Sequence, residues 1–398
     1  MSKRRKIWNR SRLVSLETLN TFSKPVAGIL ASLLVVRLVS PELWGSIVPY
    51  LVGMELLFIG LNWGSRHYLM REFSLSPATI NQEWGKSLVA RSLFLLPVAA
   101  IAFFLPVGWD LIKPLLFWMV ARFVYHSFEA LIQYHRKYLY SLVTEGIGMV
   151  ILIGGIWFFR DTLTVSDFIW CVAWQTWIRS ALLLIGFSSV LPKAFKTTTR
   201  TSIQSYLVLS FPFFMLALAG LLQSKSDLYV VTWLLPEIEI AKYQVLIGFL
   251  VVVQTFAGLV LSPFQKNIYR MDESGIIALR RQYILLGMVV NLAALLAISG
   301  VLYYFYDFEL TLWEFGLCYL YLAPLYFYLI ESMGLMKKNE AGSLVKFTLA
   351  AAAINALFCY WVVPDYGIAG ALLGGLICRI SLAAMVKRKY RLTVRHHA

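Results

Sequence analysis

Lys24, Arg122, Arg179 and Lys225 sit inside long apolar stretches of this chain, and so do the carboxylates Glu55, Glu129 and Asp227. A charge at the centre of a bilayer costs ~2.5–3.5 kcal/mol on insertion scales, so such groups are expected to face a wet cavity or one another. Their spacing sorts them onto helix faces. Glu17, Asn20, Lys24, Gly28 and Ala31 recur at steps of three and four, which keeps them on one side of a helix. Arg122, His126, Glu129 and Gln133 form a second face, Cys171, Gln175, Arg179 and Gly186 a third, and Gly220, Gln223, Ser224 and Asp227 a fourth. Lys225 points away from Asp227 on the same wheel.

Fixed cations with several donors suit an anionic ligand, and a planar guanidinium suits one that offers two oxygens. Lys24, Arg122, Arg179 and Lys225 are therefore candidate ligand-binding residues. Intramembrane carboxylates commonly mark ion pathways, which makes Asp227, Glu55 and Glu129 candidates for coupling to protons or sodium. The bland alternative is ion pairing inside the bundle, Lys24 with Glu17 and Arg122 with Glu129. Both readings stay open, because a cavity wall can also be cross-braced. Glu145, Glu314 and Glu331 are open to the same ion-coupling reading, with structural pairing the alternative for each of the six carboxylates, and His126 is read as a satisfied interior histidine. Arg91 and Arg379 lie close enough to a membrane edge to snorkel toward headgroups.

The elements that must position these groups are helices. The 398 residues are 59% hydrophobic and 14% charged, with a mean hydropathy of +0.70. That leaves too little polar surface to coat a water-soluble domain, which is roughly a quarter charged. Leu93–Pro106, Met149–Phe159, Ile284–Tyr304 and Ala350–Val363 are nearly free of charge. With their flanks such runs reach the ~20 residues that cross a ~30 Å hydrocarbon core. The strict alternation of a membrane barrel is absent. The pattern predicts twelve spans, at 14–39, 44–63, 87–106, 112–133, 139–159, 168–190, 209–235, 240–263, 282–304, 311–333, 344–363 and 366–386.

A formal charge of +15 would suggest nucleic acid in a soluble chain. Here the positive-inside rule accounts for it, and no nucleic-acid partner is expected. Basic residues crowd both ends, in MSKRRKIWNRSR and at Lys387, Arg388, Lys389, Arg391 and Arg395. They also crowd alternate loops, at Arg66, Arg71 and Lys86; Arg136 and Lys137; Lys193, Lys196 and Arg200; Lys266, Arg270, Arg280 and Arg281; and Lys337 and Lys338. The intervening loops carry Glu42, Asp110, Asp161, Asp307, Glu309 and Asp365 instead. Both termini are expected in the cytoplasm, which requires an even number of crossings. Losing one helix would invert everything downstream.

Several other functions are disfavoured. All loops are short, so no external catalytic domain is expected and the chain is not read as an enzyme. No Walker motif is present, and no cofactor is expected. Cys171, Cys318, Cys359 and Cys378 lie singly, without metal-ligand or disulfide spacing. The first apolar stretch holds Glu17, Asn20 and Lys24, which does not suit a cleaved signal peptide.

The sequence Val35–Glu42 (VVRLVSPE) returns as Val230–Glu237 (VVTWLLPE) about half a chain later. A six-helix offset makes the halves parallel repeats. The expected organisation is an N-terminal half at 1–190, a cytoplasmic connector at 191–208, a C-terminal half at 209–386 and a basic tail at 387–398.

These segments resemble the polysaccharide repeat-unit flippases of the MOP exporter superfamily. In LLVVRLVSPELWGSIVPYL, Arg37, Pro41, Glu42 and Gly45 match the family's first corner, with Ser40 in place of the usual Gly. In the seventh helix Pro212 and Asp227 match, while Ile240 stands where Gly is usual. In PDYGIAGALLGG, Gly367, Ile368, Gly370 and Ala371 match the opening of a late helix. The resemblance implies a MATE/MurJ-like architecture in the bacterial cytoplasmic membrane. It also implies transport of an undecaprenyl-diphosphate-linked oligosaccharide to the outer leaflet by alternating access, with the polysaccharide polymerase machinery downstream. A small-molecule exporter of related fold and a lipid II flippase are the neighbouring readings; a membrane-embedded glycan polymerase or ligase is the most distant.

Overall fold

The structure is a computed structural model that describes residues 3–103, 107–190, 200–261, 273–338 and 340–395. Lys193, Lys196, Lys266 and Arg270 lie outside the described residues, as does 191–199 of the expected connector. Among the described residues every regular element is helical.

Eleven helical segments are long and apolar enough to cross a membrane. They are α1 (Ser15–Leu38), α2 (Pro41–Leu75), α3 (Pro77–Ile101), α4 (Trp109–Tyr134), α5 (Tyr138–Phe159), α6 (Val165–Gly186), α7 (Ile203–Leu234), α8 (Glu237–Gly258), α9 (Gly275–Tyr306) and α10 (Leu312–Met336), followed by Gly342–Thr393. The last segment is 52 residues long, enough for two crossings. It breaks at Gly367, whose φ of 51° and ψ of −131° are not helical. The break yields α11 (342–366) and α12 (367–393) and restores the twelve spans. Only glycine adopts this backbone at little cost, and a side chain here would also meet the Glu239 carboxylate.

One expectation is corrected. The stretch 64–86 is not an open loop. It is helical apart from a short interruption around Ser76–Thr79. Trp63 and Gly64 both adopt positive φ (43° and 65°), which breaks α2 and restarts it at Ser65. The restarted segment is amphipathic, burying Tyr68, Leu69 and Phe73 while exposing Arg66 and Arg71. Its charged residues mask a helix that hydropathy alone reads as a loop. The expected tail at 387–398 likewise continues α12 as helix to Arg395. Lys389 Nζ meets Glu340 Oε1 at 2.8 Å, ahead of the start of α11. That hydrogen bond and a second from Ser343 hold the Glu340 carboxyl below its ordinary range.

The two copies of the repeated sequence occupy the same kind of corner. The helix containing α1 ends at Leu38 and α2 begins at Pro41; that containing α7 ends at Leu234 and α8 begins at Glu237. Ser40, in the place of the usual Gly, caps the first corner by accepting from the Leu43 amide (3.2 Å).

The chain divides into two compact units. The first comprises Met1–Val39 and Tyr50–Leu218, the second Ser40–Pro49 and Ala219–Ala398. In the first unit, Phe73, Trp84, Phe128 and Phe187 pack in one buried apolar cluster. In the second, Ile330 and Tyr283 centre one cluster, and Leu335 and Val386 another. Large apolar side chains such as Leu96, Val150, Phe158, Ile185, Val289 and Trp361 point outward. That is the arrangement a lipid solvent stabilises. The small residues face inward: Gly155 lies against Cys171, and Gly374 against Cys359.

Candidate functional site

In the first unit the polar faces of four helices, α1, α2, α5 and α6, converge on α4. The regular helix is interrupted for one residue at Phe128, between His126 and Glu129. Lys24 of α1 reaches across to Glu129 as an ion pair. The same Glu129 oxygen lies 3.1 Å from His126 Nδ1. Arg179 of α6 pairs with Glu145 of α5, and Tyr125 donates a hydrogen bond to that same Glu145 oxygen. The Tyr125 ring links both pairs, since Lys24 Nζ lies 5.3 Å and the Arg179 guanidinium 4.2 Å from its centroid. Gly148 sits against the Arg179 aliphatic chain, where a side chain would collide with it. Arg122 stacks on Phe58 at 4.0 Å and donates from Nε to His126 Nε2 at 3.1 Å. Glu55 is the carboxylate whose charge acts most strongly on Arg122.

Beside this network lies a pocket of about 120 Å³. Its wall includes Asn20, Lys24, Arg66, Glu129, Gln133 and Tyr138. The Lys24 side chain is 38% exposed, whereas Glu129, Arg179 and Glu145 are 15%, 13% and 7% exposed. Of the two cations that pair with these carboxylates, Lys24 is thus the more open to a ligand. The volume is below the roughly 300–1,000 Å³ of drug-sized sites. It suits a compact polar group.

The structure therefore gathers Lys24, Arg122, Arg179, Glu55 and Glu129 in one unit. Both expected pairings are corrected: Lys24 pairs with Glu129 rather than Glu17, and Arg122 bonds to His126 rather than Glu129. Each expected pair is seven residues apart. Seven residues rise ~10.5 Å along a helix, against ~5–6 Å between Cβ atoms for neighbours three or four apart. The three cations are matched by three carboxylates, with Lys24, Arg122 and Arg179 set against Glu129, Glu55 and Glu145. Sequence reasoning missed Tyr125 and Arg66 as members. Tyr125 was detectable, being four residues before Glu129 and three after Arg122. Arg66 was hidden by the reading of 64–86 as a loop.

The second unit holds a separate buried cluster. Asp227 is 1% exposed. It accepts hydrogen bonds from the Tyr243 hydroxyl (2.7 Å) and the Leu228 amide (2.8 Å). Arg379 and, more weakly, Lys225 add positive charge around it. Lys225 itself is half-buried. Arg379 stacks on Tyr321 at 3.7 Å, and the Gln254 amide, turned with its oxygen toward the guanidinium, accepts from both terminal nitrogens at 2.9 and 3.3 Å. Arg379 does not snorkel, and neither does Arg91. Arg91 is fully buried and donates to Ser127 Oγ (3.0 Å) and to the oxygens of Ser87 (3.1 and 3.2 Å). Two other carboxylates have structural partners: Glu331 pairs with Arg280 (2.9 Å), and Glu314 caps α10 with Thr311.

No protein-family model and no curated protein matches this sequence. Solved structures do. The lipid II flippase MurJ in an inward closed conformation superposes with a TM-score of 0.71 at 15% identity, covering 94% of this chain and 87% of that one. An inward-facing multidrug resistance MATE family transporter of the MOP superfamily gives 0.63 at 13% identity, covering 93% and 94%. A MOP superfamily transporter from Pyrococcus furiosus, described as having a binding pocket of reversed polarity, gives 0.56 at 13%, covering 97% and 95%. At these identities the likeness is one of fold. The chain is an all-helical membrane protein with the MurJ- and MATE-type fold, a fold these transporters share.

Proposed function

We propose that this chain is a flippase for undecaprenyl-diphosphate-linked oligosaccharide repeat units. In this reading it works by alternating access in the bacterial cytoplasmic membrane. It supplies the polysaccharide polymerase machinery that builds O-antigen, capsule or exopolysaccharide. The observation that carries the reading is the pocket of the first unit, where Lys24 and Arg66 stand among the hydrogen-bonding side chains of Asn20, Thr21, Gln133 and Ser141. Two cations with neutral donors around them suit a diphosphate head. The similarity to a lipid II flippase adds the precedent of a lipid-linked cargo on this fold. Arg122, Arg179 and Lys225 are proposed as further substrate contacts. Glu55, Glu129 and Asp227 are the proposed sites of coupling to protons or sodium.

Deleting the gene should leave lipid-linked repeat units on the cytoplasmic face of the membrane. Wild-type protein should restore outer-leaflet delivery. A Lys24→Ala, Arg66→Ala double variant, expressed at the same level, should deliver at least about tenfold less, since each charged hydrogen bond contributes ~1.5–3 kcal/mol. Normal delivery in the deletion strain would sink the assignment, and full rescue by the double variant would sink the site.

A second reading draws on the same wall, because Glu17, Glu129, Tyr125 and Tyr138 also suit an organic cation. It makes the chain a small-molecule exporter. Loss of drug resistance with intact polysaccharide delivery in the deletion strain would favour it.

The proposal places both termini in the cytoplasm. All four native cysteines are buried, so the wild-type chain is a quiet background for thiol labelling. A membrane-impermeant maleimide applied to intact cells should label Arg160→Cys and leave His135→Cys unlabelled until the cells are opened. The reverse pattern would invert the topology.

A further inference from the structure

Every cation of the first unit's network already has a protein counter-ion or acceptor. Lys24 holds Glu129, and Arg179 holds Glu145. A diphosphate arriving in this pocket meets no unmatched positive charge on Lys24, which lines it, or on Arg179, which borders it through the Tyr125 ring. It gains the full charge of either only by exchange. The carboxylates it displaces lie on α4 and α5, largely buried, at 15% and 7% exposure. A buried carboxylate deprived of its cation is costly to keep charged, and neutralising it removes that cost.

We infer that Glu129 and Glu145 are stand-in counter-ions for the substrate's diphosphate, which takes their places on Lys24 and Arg179 while each displaced carboxylate takes up one proton from water. The inference rests on the flippase reading above and specifies how its site is charged and discharged. No bond to phosphorus changes. Lys24 and Arg179 keep their protons and turn their hydrogen bonds from carboxylate to phosphate oxygens, and the new carboxyl proton comes from solvent. Net charge is thereby conserved inside a low-dielectric bundle, apart from the phosphate charge that exceeds the protons taken up.

The groups facing each carboxylate support this. Glu129 is met by Lys24 from α1, by Arg66 from α2 and by His126 from its own helix. His67 of α2 and Arg122 of α4 also lie within range of its charge. Glu145 is met by the Tyr125 hydroxyl from α4 and by Arg179 from α6, with Lys24 also in range. Tyr125 touches both pairs, so exchange at one disturbs the other. Its hydroxyl is also a ready partner for a neutral Glu145.

The test uses the full chain, purified in zwitterionic-lipid nanodiscs, with farnesyl diphosphate as the probe. Calorimetry above about pH 8, where the probe's own phosphates are already ionised, in two buffers of different ionisation enthalpy, counts the protons taken up. Uptake of one to two protons per bound probe is expected. Affinity should then weaken by up to about tenfold per pH unit for each proton as pH rises. Glu129→Gln and Glu145→Gln should each remove about one proton from the count, and each should bind the probe more tightly than wild type at high pH. Binding by the wild type without proton uptake overturns the inference and leaves the flippase reading standing. Unchanged uptake in both Gln variants also overturns it. Failure of the wild type to bind any prenyl diphosphate across the pH range overturns the flippase reading and the inference together. The wild-type proton count does not depend on either variant folding.

Discussion

Replacing Arg179 with alanine should destabilise the protein by about 3–5 kcal/mol, the usual cost of stranding one member of a buried ion pair. The stranded group is Glu145, 7% exposed, with the Tyr125 hydroxyl left to hold it. Thermal or denaturant unfolding of the purified chain, followed by tryptophan fluorescence, reads the loss. A companion variant separates bracing from binding. Arg179→Met, Glu145→Leu and Tyr125→Phe together remove both charges and the hydroxyl while keeping similar volume. Replacing a whole buried pair by apolar side chains is often neutral or stabilising, so this triple variant should recover most of the lost stability. Flipping then decides the role of the arginine. A triple variant that is stable yet inactive places the Arg179–Glu145–Tyr125 cluster, and not its bracing alone, in substrate handling. A triple variant that is stable and active makes the pair a brace and removes Arg179 from the site.

The second large effect is expected at Gly64. Valine there should cost about 2–5 kcal/mol, combining a left-handed backbone penalty of ~1–2 kcal/mol with an overpacking cost of ~1–3 kcal/mol. The residue has a φ of 65°, and an added Cβ would lie within contact of the Phe213 and Phe214 backbone. The neighbouring Trp63 ring stacks on Phe214 at 4.4 Å and donates from Nε1 to the Leu207 carbonyl at 3.0 Å. Disturbing the corner would therefore loosen α7 from α2, and with it the segment that carries Arg66 to the pocket. Gly28→Ala is the control. Its added Cβ meets nothing within 4 Å on a helical backbone. It should leave stability unchanged or raise it by up to about 1 kcal/mol through reduced chain entropy and better helix propensity. A Gly64→Val protein that unfolds like wild type would refute the account of the corner.

The sequence by itself determined the crossings. Membrane thickness imposes a length on every apolar run, and that length is a local property which any window of the chain displays. The twelve spans follow from it, even where α11 and α12 join without a loop at Gly367. It also determined which residues are chemically exceptional. Lys24, Arg122, Arg179, Glu129 and Asp227 stand out because charge is rare in apolar surroundings, and no tertiary knowledge is needed to notice them. Tertiary structure decided the partners. Lys24 ignores Glu17 on its own helix and takes Glu129, 105 residues away. Arg179 finds Glu145 on another helix. Arg91 and Arg379 turn inward onto serines and an aromatic ring rather than toward headgroups. Periodicity fixes the face of a helix on which a residue lies, but not which neighbour that face meets or how far along the axis it meets it. An ion pair depends on both, because its energy falls away over a few ångströms. Lys24 and Arg179, which composition presents as bare cations waiting for an anion, are in the folded chain already matched to carboxylates.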